Sequence, residues 1–310
     1  MEALPKTQQN TTNQLELQRL AQSFAVGIDI SQSSQKLYSR VLRLYFDYLS
    51  QIGLNLDGVA ISHLIAYKQH LIASGLKPSS VCFYLSVIRK FYQWTEASRL
   101  YPDISKTIEN PYRDTEPKRF PLTIPQSMAL MEVYKNNKRD FAIITLLLRT
   151  GLRAIEVTRA NVEDIGFLQG RRVLFVQGKG RLEKTDFVVL TDNTYQTISD
   201  YLAERGPLAP GSPLFCGNSN NNQCNRLTTR AIRYIGKIGL KRIGIDDRRF
   251  TTHSLRHTAG TRLYEATGDI ELVRKTMRHR DTSTTLHYTK TIETEMRLRN
   301  PGEDVLATLF

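Results

Sequence analysis

Four prolines, Pro111, Pro117, Pro121 and Pro125, fall close together in a stretch opened by Asn110 and mixed with charged residues. Proline removes a backbone donor and fixes φ, so neither a helix nor a central strand runs through such a segment. The chain on either side has to fold separately, and 310 residues leave enough on each side for its own core. The expected division is a flexible segment over 1–30, a helical domain over 31–112, a linker over 113–125, and a second domain with a C-terminal tail over 126–310.

Before the linker every pattern is helical. Leu37, Val41, Leu44, Tyr45, Tyr48 and Leu49 recur at helical spacing and predict one apolar face, with Lys36, Arg40 and Arg43 off it. A second helix is expected over 62–74, with Leu64, Ile65, Leu71 and Ile72 inward and Gly75 as its stop. A third follows Lys77-Pro78-Ser79-Ser80, where a serine caps the helix and proline stands just outside it. Its buried side carries Leu85, Ile88, Phe91, Tyr92 and Trp94, and Arg89 and Lys90 point outward. The polar segment 1–30 offers only a short helix around 15–24.

After the linker the pattern is mixed. Phe141 to Leu148 is a strongly apolar helix that ends at Thr150-Gly151. Residues 172–177 and 186–190 are short and rich in Val, Phe and Leu, and they flank a basic, glycine-containing run; they predict two strands around a hairpin tip. Further helices are predicted at 194–204, 228–239, 253–266 and 270–277, with a short one at 284–289, while the Asn-rich 216–226 reads as a surface loop. The fold class is mainly α with a small β-sheet.

The formal charge is +13 and the pI about 9.7. A protein this basic meets a polyanion, because each phosphate it neutralises releases condensed counterions. Nucleic acid is the expected partner. Cys82, Cys216 and Cys224 form neither a disulfide framework nor a zinc spacing, and read as free thiols in a reducing cytoplasm. No apolar run has the length needed to cross a bilayer, so no membrane partner is expected.

Several polar motifs each have two readings. Arg153 and Glu156 are either a surface ion pair after a capped helix, or an arginine whose fork a carboxylate aims at a phosphate. Lys179, between Gly178 and Gly180, is either a solubilising tip residue or a proton donor to a leaving oxygen, with Lys184 as a rival on the same loop. His253, Arg256 and His257 share one helical face, suited to a second phosphate clamp and a proton-carrying histidine. His279 and Tyr288 follow. A phenol with an ordinary pKa of about 10 becomes a nucleophile only where cations favour its anion.

In their order and spacing these motifs resemble the tyrosine recombinase (phage integrase-like) family, most closely its short Xer-type members. The resemblance runs from about Gln35 to about Glu295; each motif is weak alone and the ordered set is specific. It implies a helical core-binding domain followed by an α+β catalytic domain. Arg153 and Arg256 would bind the scissile phosphate and Lys179 would be the general acid. His253 and His279 would assist, Tyr288 would be the nucleophile, and Glu156 and His257 would support them. No cofactor and no metal is implied. There are two departures: Met277-Arg278-His279 stands where the family usually has Leu-Gly-His, and Thr289-Lys290 follows the tyrosine. Arg278 is expected either to add a DNA contact or to alter the turn.

The implied chemistry is transesterification through a 3′-phosphotyrosine and a four-way junction. The working form would be a homo-tetramer on two double-stranded DNA sites, a dimer on each. DNA contacts are expected from Lys77, Ser79, Ser80, Arg89 and Lys90 in the first domain, and from Arg181, Arg230 and Arg278 in the second. The apolar end, Val305 to Phe310, either docks on a partner or folds back on its own domain. A type IB-like topoisomerase and a DNA-binding regulator that does not cleave are the competing readings.

Overall fold

The computed structural model describes residues 6–112, 120–178, 181, 183–217, 225–279, 285 and 302–310. The chain is mainly α, with one small antiparallel sheet, and divides into two compact units, Met1–Thr115 and Glu116–Phe310.

The first unit holds α1 (Lys6–Gly27), α2 (Gln32–Gln51), α3 (Ile61–Ala73) and α4 (Pro78–Ala97). In the segment expected to be flexible apart from a short helix over 15–24, the helix α1 runs from Lys6 to Gly27. Leu17, Ala21 and Phe24 lie at i, i+4 and i+7 and are buried, and the Phe24 ring meets Phe91 edge-on at 5.6 Å. A stripe this narrow is hard to see in a polar tract, yet it suffices once it docks on neighbouring aromatics. The buried face of α2 is Val41, Leu42, Tyr45, Phe46 and Leu49, while Leu37 and Leu44 are exposed, so the face is rotated from the expected one. On α3, Leu64, Tyr67 and Leu71 are buried and Ile65 and Ile72 face solvent. Pro78 lies inside the first turn of α4, where its missing N–H costs nothing, and Lys77 is the N-cap in place of a serine. Inside this core Tyr45 and Tyr92 share a hydroxyl hydrogen bond of 2.8 Å.

The second unit runs α5 (Ile124–Glu132), α6 (Lys138–Thr150), α7 (Ala154–Arg159), β1 (Ile165–Leu168), β2 (Arg171–Val176) and β3 (Asp186–Val189). It continues with α8 (Asp192–Arg205), α9 (Thr229–Arg242), α10 (Thr252–Thr267), α11 (Ile270–Thr276) and α12 (Gly302–Leu309). Its centre is α6, whose Ala142, Ile143, Ile144, Leu146 and Leu147 are buried and which packs on α8 and α10. The sheet has the order β1-β2-β3, with Leu174 opposite both Ile165 and Val188. Leu174, Val176 and Val188 join the core. The strand β1 is absent from the sequence reading: four residues, one of them Gly166, carry too little alternation to register.

The second unit also claims part of the expected linker. Leu122 is fully buried; its N–H donates to Thr258 Oγ1 at 2.8 Å and its carbonyl accepts from Arg262 at 2.9 Å. Thr123 then caps α5, with Pro125 in its first turn. At the far end, Leu306, Leu309 and Phe310 on and after α12 are exposed. The expected short helix at 284–289 lies outside the described residues except for Thr285, which is helical. Cys224 lies outside them as well.

Candidate active site

The site is built where two turns meet. Helix α6 ends at Gly151 with φ 61°, a left-handed conformation that glycine adopts without strain. A Cβ here would come 2.5 Å from Met277 Cε, so a side chain at 151 would have to displace the end of Met277, and glycine lets the turn after α6 pack closely on the end of α11. The approach brings the carbonyls of Gly151 and Met277 to one guanidinium. Arg256, on α10 and 1% exposed, donates Nη1 to the first and Nη2 to the second. One buried arginine thereby ties together the turns that carry Arg153 and His279.

Arg153 is the N-cap of α7 and Glu156 its third helical residue. The Glu156 carboxylate, 1% exposed, accepts the Arg153 backbone N–H at 2.8 Å on Oε2 and Arg153 Nη1 at 2.7 Å on Oε1. It also takes Arg278 Nη2 at 3.0 Å on Oε2. Burial alone would raise the carboxyl's pKa. The Arg278 charge, the Arg153 N–H and the Arg153 guanidinium outweigh it and hold the group below the usual carboxylate range. Arg153 keeps 28% of its side chain exposed, a fixed cation with an open edge.

His279 is buried, with Nδ1 3.0 Å from Thr285 Oγ1. Burial, then the charges of Arg256, Arg153, Arg278 and His253, push its pKa down to about 3. It is therefore a neutral imidazole at physiological pH, able to donate or accept a hydrogen bond without adding charge. The same field shows that residues from α7, α10 and the turn after α11 surround one spot. His253 is exposed in the first turn of α10. His257 is buried, with Nδ1 3.1 Å from Thr261 Oγ1. Arg153, Glu156, His253, Arg256 and His279 are thus brought together; Lys179 and Tyr288 lie outside the described residues.

Several of the other residues singled out in the sequence have partners within the chain. Arg278 is not presented outward: its side chain is 6% exposed and paired with Glu156, and its φ of 53° makes the turn left-handed. Lys184 is held by Asp164 at 2.6 and 2.8 Å. Arg89 does not point outward but donates to the Ile108 carbonyl at 2.7 Å and to Asn110 at 3.1 Å. Arg181 bonds Thr185 and Asp186 at the base of the hairpin. Lys77 and Lys90 are exposed, Ser79 and Ser80 are half-buried in the first turn of α4, and Arg230 is exposed on α9. The helix from Thr228, expected as a whole to contact DNA, also exposes Arg233, Tyr234 and Lys237 beyond Arg230, at helical spacing along α9. Sequence reasoning missed Thr285 as the partner of His279, for which spacing gives no signal.

The phage integrase family matches residues 122–295, and the phage integrase N-terminal SAM-like domain matches residues 19–98. The first match alone spans more than half of the chain, which therefore belongs to the phage integrase family. Tyrosine recombinase XerC of Caldanaerobacter subterraneus subsp. tengcongensis is 29% identical over 262 residues, 80% of this chain and 70% of that protein. Tyrosine recombinase XerD of Staphylococcus epidermidis is 28% identical over 277 residues, 86% and 91% of the two chains. The XerH site-specific recombinase, in its post-cleavage complex with palindromic difH substrate, shares the fold. Its TM-score is 0.76 at 17% identity, with 93% of this chain and 95% of that one covered.

Proposed function

We propose that this chain is a site-specific DNA recombinase whose nucleophile is Tyr288. The phenol oxygen attacks a DNA phosphorus, the bond to the 5′ oxygen breaks, and a 3′-phosphotyrosine forms. His253 accepts the phenol proton, and Lys179 donates a proton to the departing 5′ oxygen. Arg153, through its open edge, and the buried Arg256 hold the charge that develops on the non-bridging oxygens. The freed 5′ hydroxyl of a partner duplex then attacks the phosphotyrosine, and the bond energy is conserved throughout. Neutral His279 serves as a hydrogen-bond partner to the phosphate.

The observation that carries this reading is the junction at Arg256, which brings Arg153 and His279 together from turns more than a hundred residues apart. The exposed cations of α4 and α9 fit a grip on the duplex backbone. The finer parts of the reading are a homo-tetramer on two sites and residence in the cytoplasm; the exposed apolar residues of α12 suit contact with a second copy.

The test uses nicked duplexes from a randomised library, incubated with the full chain, with covalent adducts captured and sequenced. The wild type is expected to yield adducts at one recurrent sequence, and Tyr288→Phe to bind that duplex yet yield none. Adducts that persist in Tyr288→Phe would assign the nucleophile elsewhere; none from the wild type would favour a regulator that binds without cutting.

A further inference from the structure

Arg278 has no place in the mechanism above, yet it is buried inside the same cluster. Its Nη1 donates to the Thr276 carbonyl at 2.9 Å and its Nη2 to Glu156 Oε2 at 3.0 Å. Its Nε is buried and, among the described residues, has no hydrogen-bond partner. Its backbone sits at φ 53°, where a side chain is unfavourable and glycine is not. An arginine that accepts a left-handed backbone, an unsatisfied donor and burial is retained for something other than the turn itself.

What it does is visible at Glu156. A carboxylate facing a guanidinium closes a two-pronged pair when both oxygens are available. Here Oε2 is occupied by the Arg153 backbone N–H and by Arg278, so only Oε1 reaches the Arg153 side chain, through Nη1 alone. We propose that Arg278 is a positioning residue for DNA cleavage: by holding Glu156 Oε2, it keeps the carboxylate from closing on both prongs of Arg153 and leaves that fork open to the scissile phosphate. The inference rests on the recombinase reading above. It adds a second consequence, since the Arg278 charge is one of those facing His279. The others are Arg153 at the start of α7, and Arg256 and His253 on α10; Thr285 is the neutral neighbour.

The experiment compares wild type, Arg278→Gly and Arg278→Lys on the nicked duplex recovered by adduct capture. Glycine fits the backbone at this position, so Arg278→Gly is expected to fold; thermal unfolding checks it, and Arg278→Lys, which keeps a charge near Oε2, provides the second arm. The cleavage rate of Arg278→Gly should fall by about 10- to 100-fold, the scale of a misaligned reacting group. Duplex affinity should change by less than about threefold, because one charge among many phosphate contacts matters little to binding. Arg278→Lys should recover part of the rate. The His279 titration, followed by nitrogen-detected NMR, should move to higher pH in Arg278→Gly, since losing a neighbouring cation lets the ring protonate more easily; a purely structural role would leave it in place. Wild-type rate and an unshifted His279 titration in Arg278→Gly would overturn the proposal while the wild-type adduct still stood. Absence of any wild-type adduct would instead remove the recombinase reading beneath it.

Discussion

Glu156→Gln removes one negative charge from between two guanidiniums, those of Arg153 and Arg278, and changes almost no volume. Glutamine keeps one acceptor oxygen, so the loss is mainly electrostatic. Removing one partner of a buried ion pair costs about 3–5 kcal/mol, chiefly because the remaining charge is stranded. Two guanidiniums are stranded here. Arg153, 28% exposed, regains water on its open edge, whereas Arg278, 6% exposed, does not. The lower end, about 3 kcal/mol, is therefore the expected loss, or a fall of roughly 6–12 °C in the unfolding midpoint for a domain of this size. Calorimetry reads both units. The single tryptophan, Trp94, lies in the first unit, so its fluorescence follows that unit alone. The second unit's transition should drop and the Trp94 transition should hold. The pH dependence has a definite sign. Glu156 is depressed in the folded state, so its contribution is fully present above the unfolded carboxyl's pKa of 4.5 and is lost as pH falls through the lower folded value. The gap between wild type and Glu156→Gln should stay constant from neutral pH down to about the unfolded value of 4.5 and narrow below it. A shift of less than about 2 °C at neutral pH, or one confined to the Trp94 signal, would refute the buried-charge account.

The histidine and the first core give two more expectations. In a nitrogen-detected NMR titration, His279 should remain neutral well below the ordinary histidine value of 6.5; protonation near that value would mean that burial and the surrounding arginines do not act on it. Because the unfolded chain takes up that proton first, His279 also makes stability fall as pH drops below 6.5. In the first unit, the Tyr67 hydroxyl is buried with no hydrogen-bond partner among the described residues. Tyr67→Phe should leave stability unchanged or raise it by up to about 1 kcal/mol, read by Trp94 fluorescence in urea; a loss above that size would reveal a partner for the hydroxyl.

What the sequence disclosed follows from how locally each feature is encoded. The polar set Arg153, His253, Arg256 and His279 was legible because each residue sits beside a helix signal, Gly151 ending one helix and Thr251 starting another. The rotation of the α2 face was not legible, because Leu37 and Leu44 fit the helical period as well as Leu42 and Phe46 do; only the partner helices choose between them. Helix α1 was legible only over 15–24, the part that holds its apolar stripe; the docking of that stripe on Phe91 and Trp94, residues far along the chain, was not. Arg89 was expected to point outward and Arg278 either to contact DNA or to alter the turn; neither expectation anticipated the bonds each makes within the chain, for a shared reason. Arginine is assigned to the surface by its charge, yet its planar fork also satisfies buried carbonyls and carboxylates, and both residues are used that way.

That double use is sharpest at Arg256, and it yields a test that a lysine can perform. A guanidinium carries five N–H donors in a fixed plane, so Arg256 can spend one nitrogen on the Gly151 carbonyl and another on Met277. A lysine keeps the positive charge but offers one compact ammonium, which must choose between carbonyls on two different turns. Arg256→Lys leaves at least one buried carbonyl without its donor, a loss of about 1–3 kcal/mol in the second unit. It also loosens the junction that sets Arg153 against His279, so cleavage should fall by about 100-fold or more, the scale set by removing a preorganised donor. If charge alone mattered, Arg256→Lys would cleave nearly as well as wild type and unfold at the same temperature. Rate and midpoint falling together, with duplex affinity retained, is the outcome that the two carbonyl bonds require.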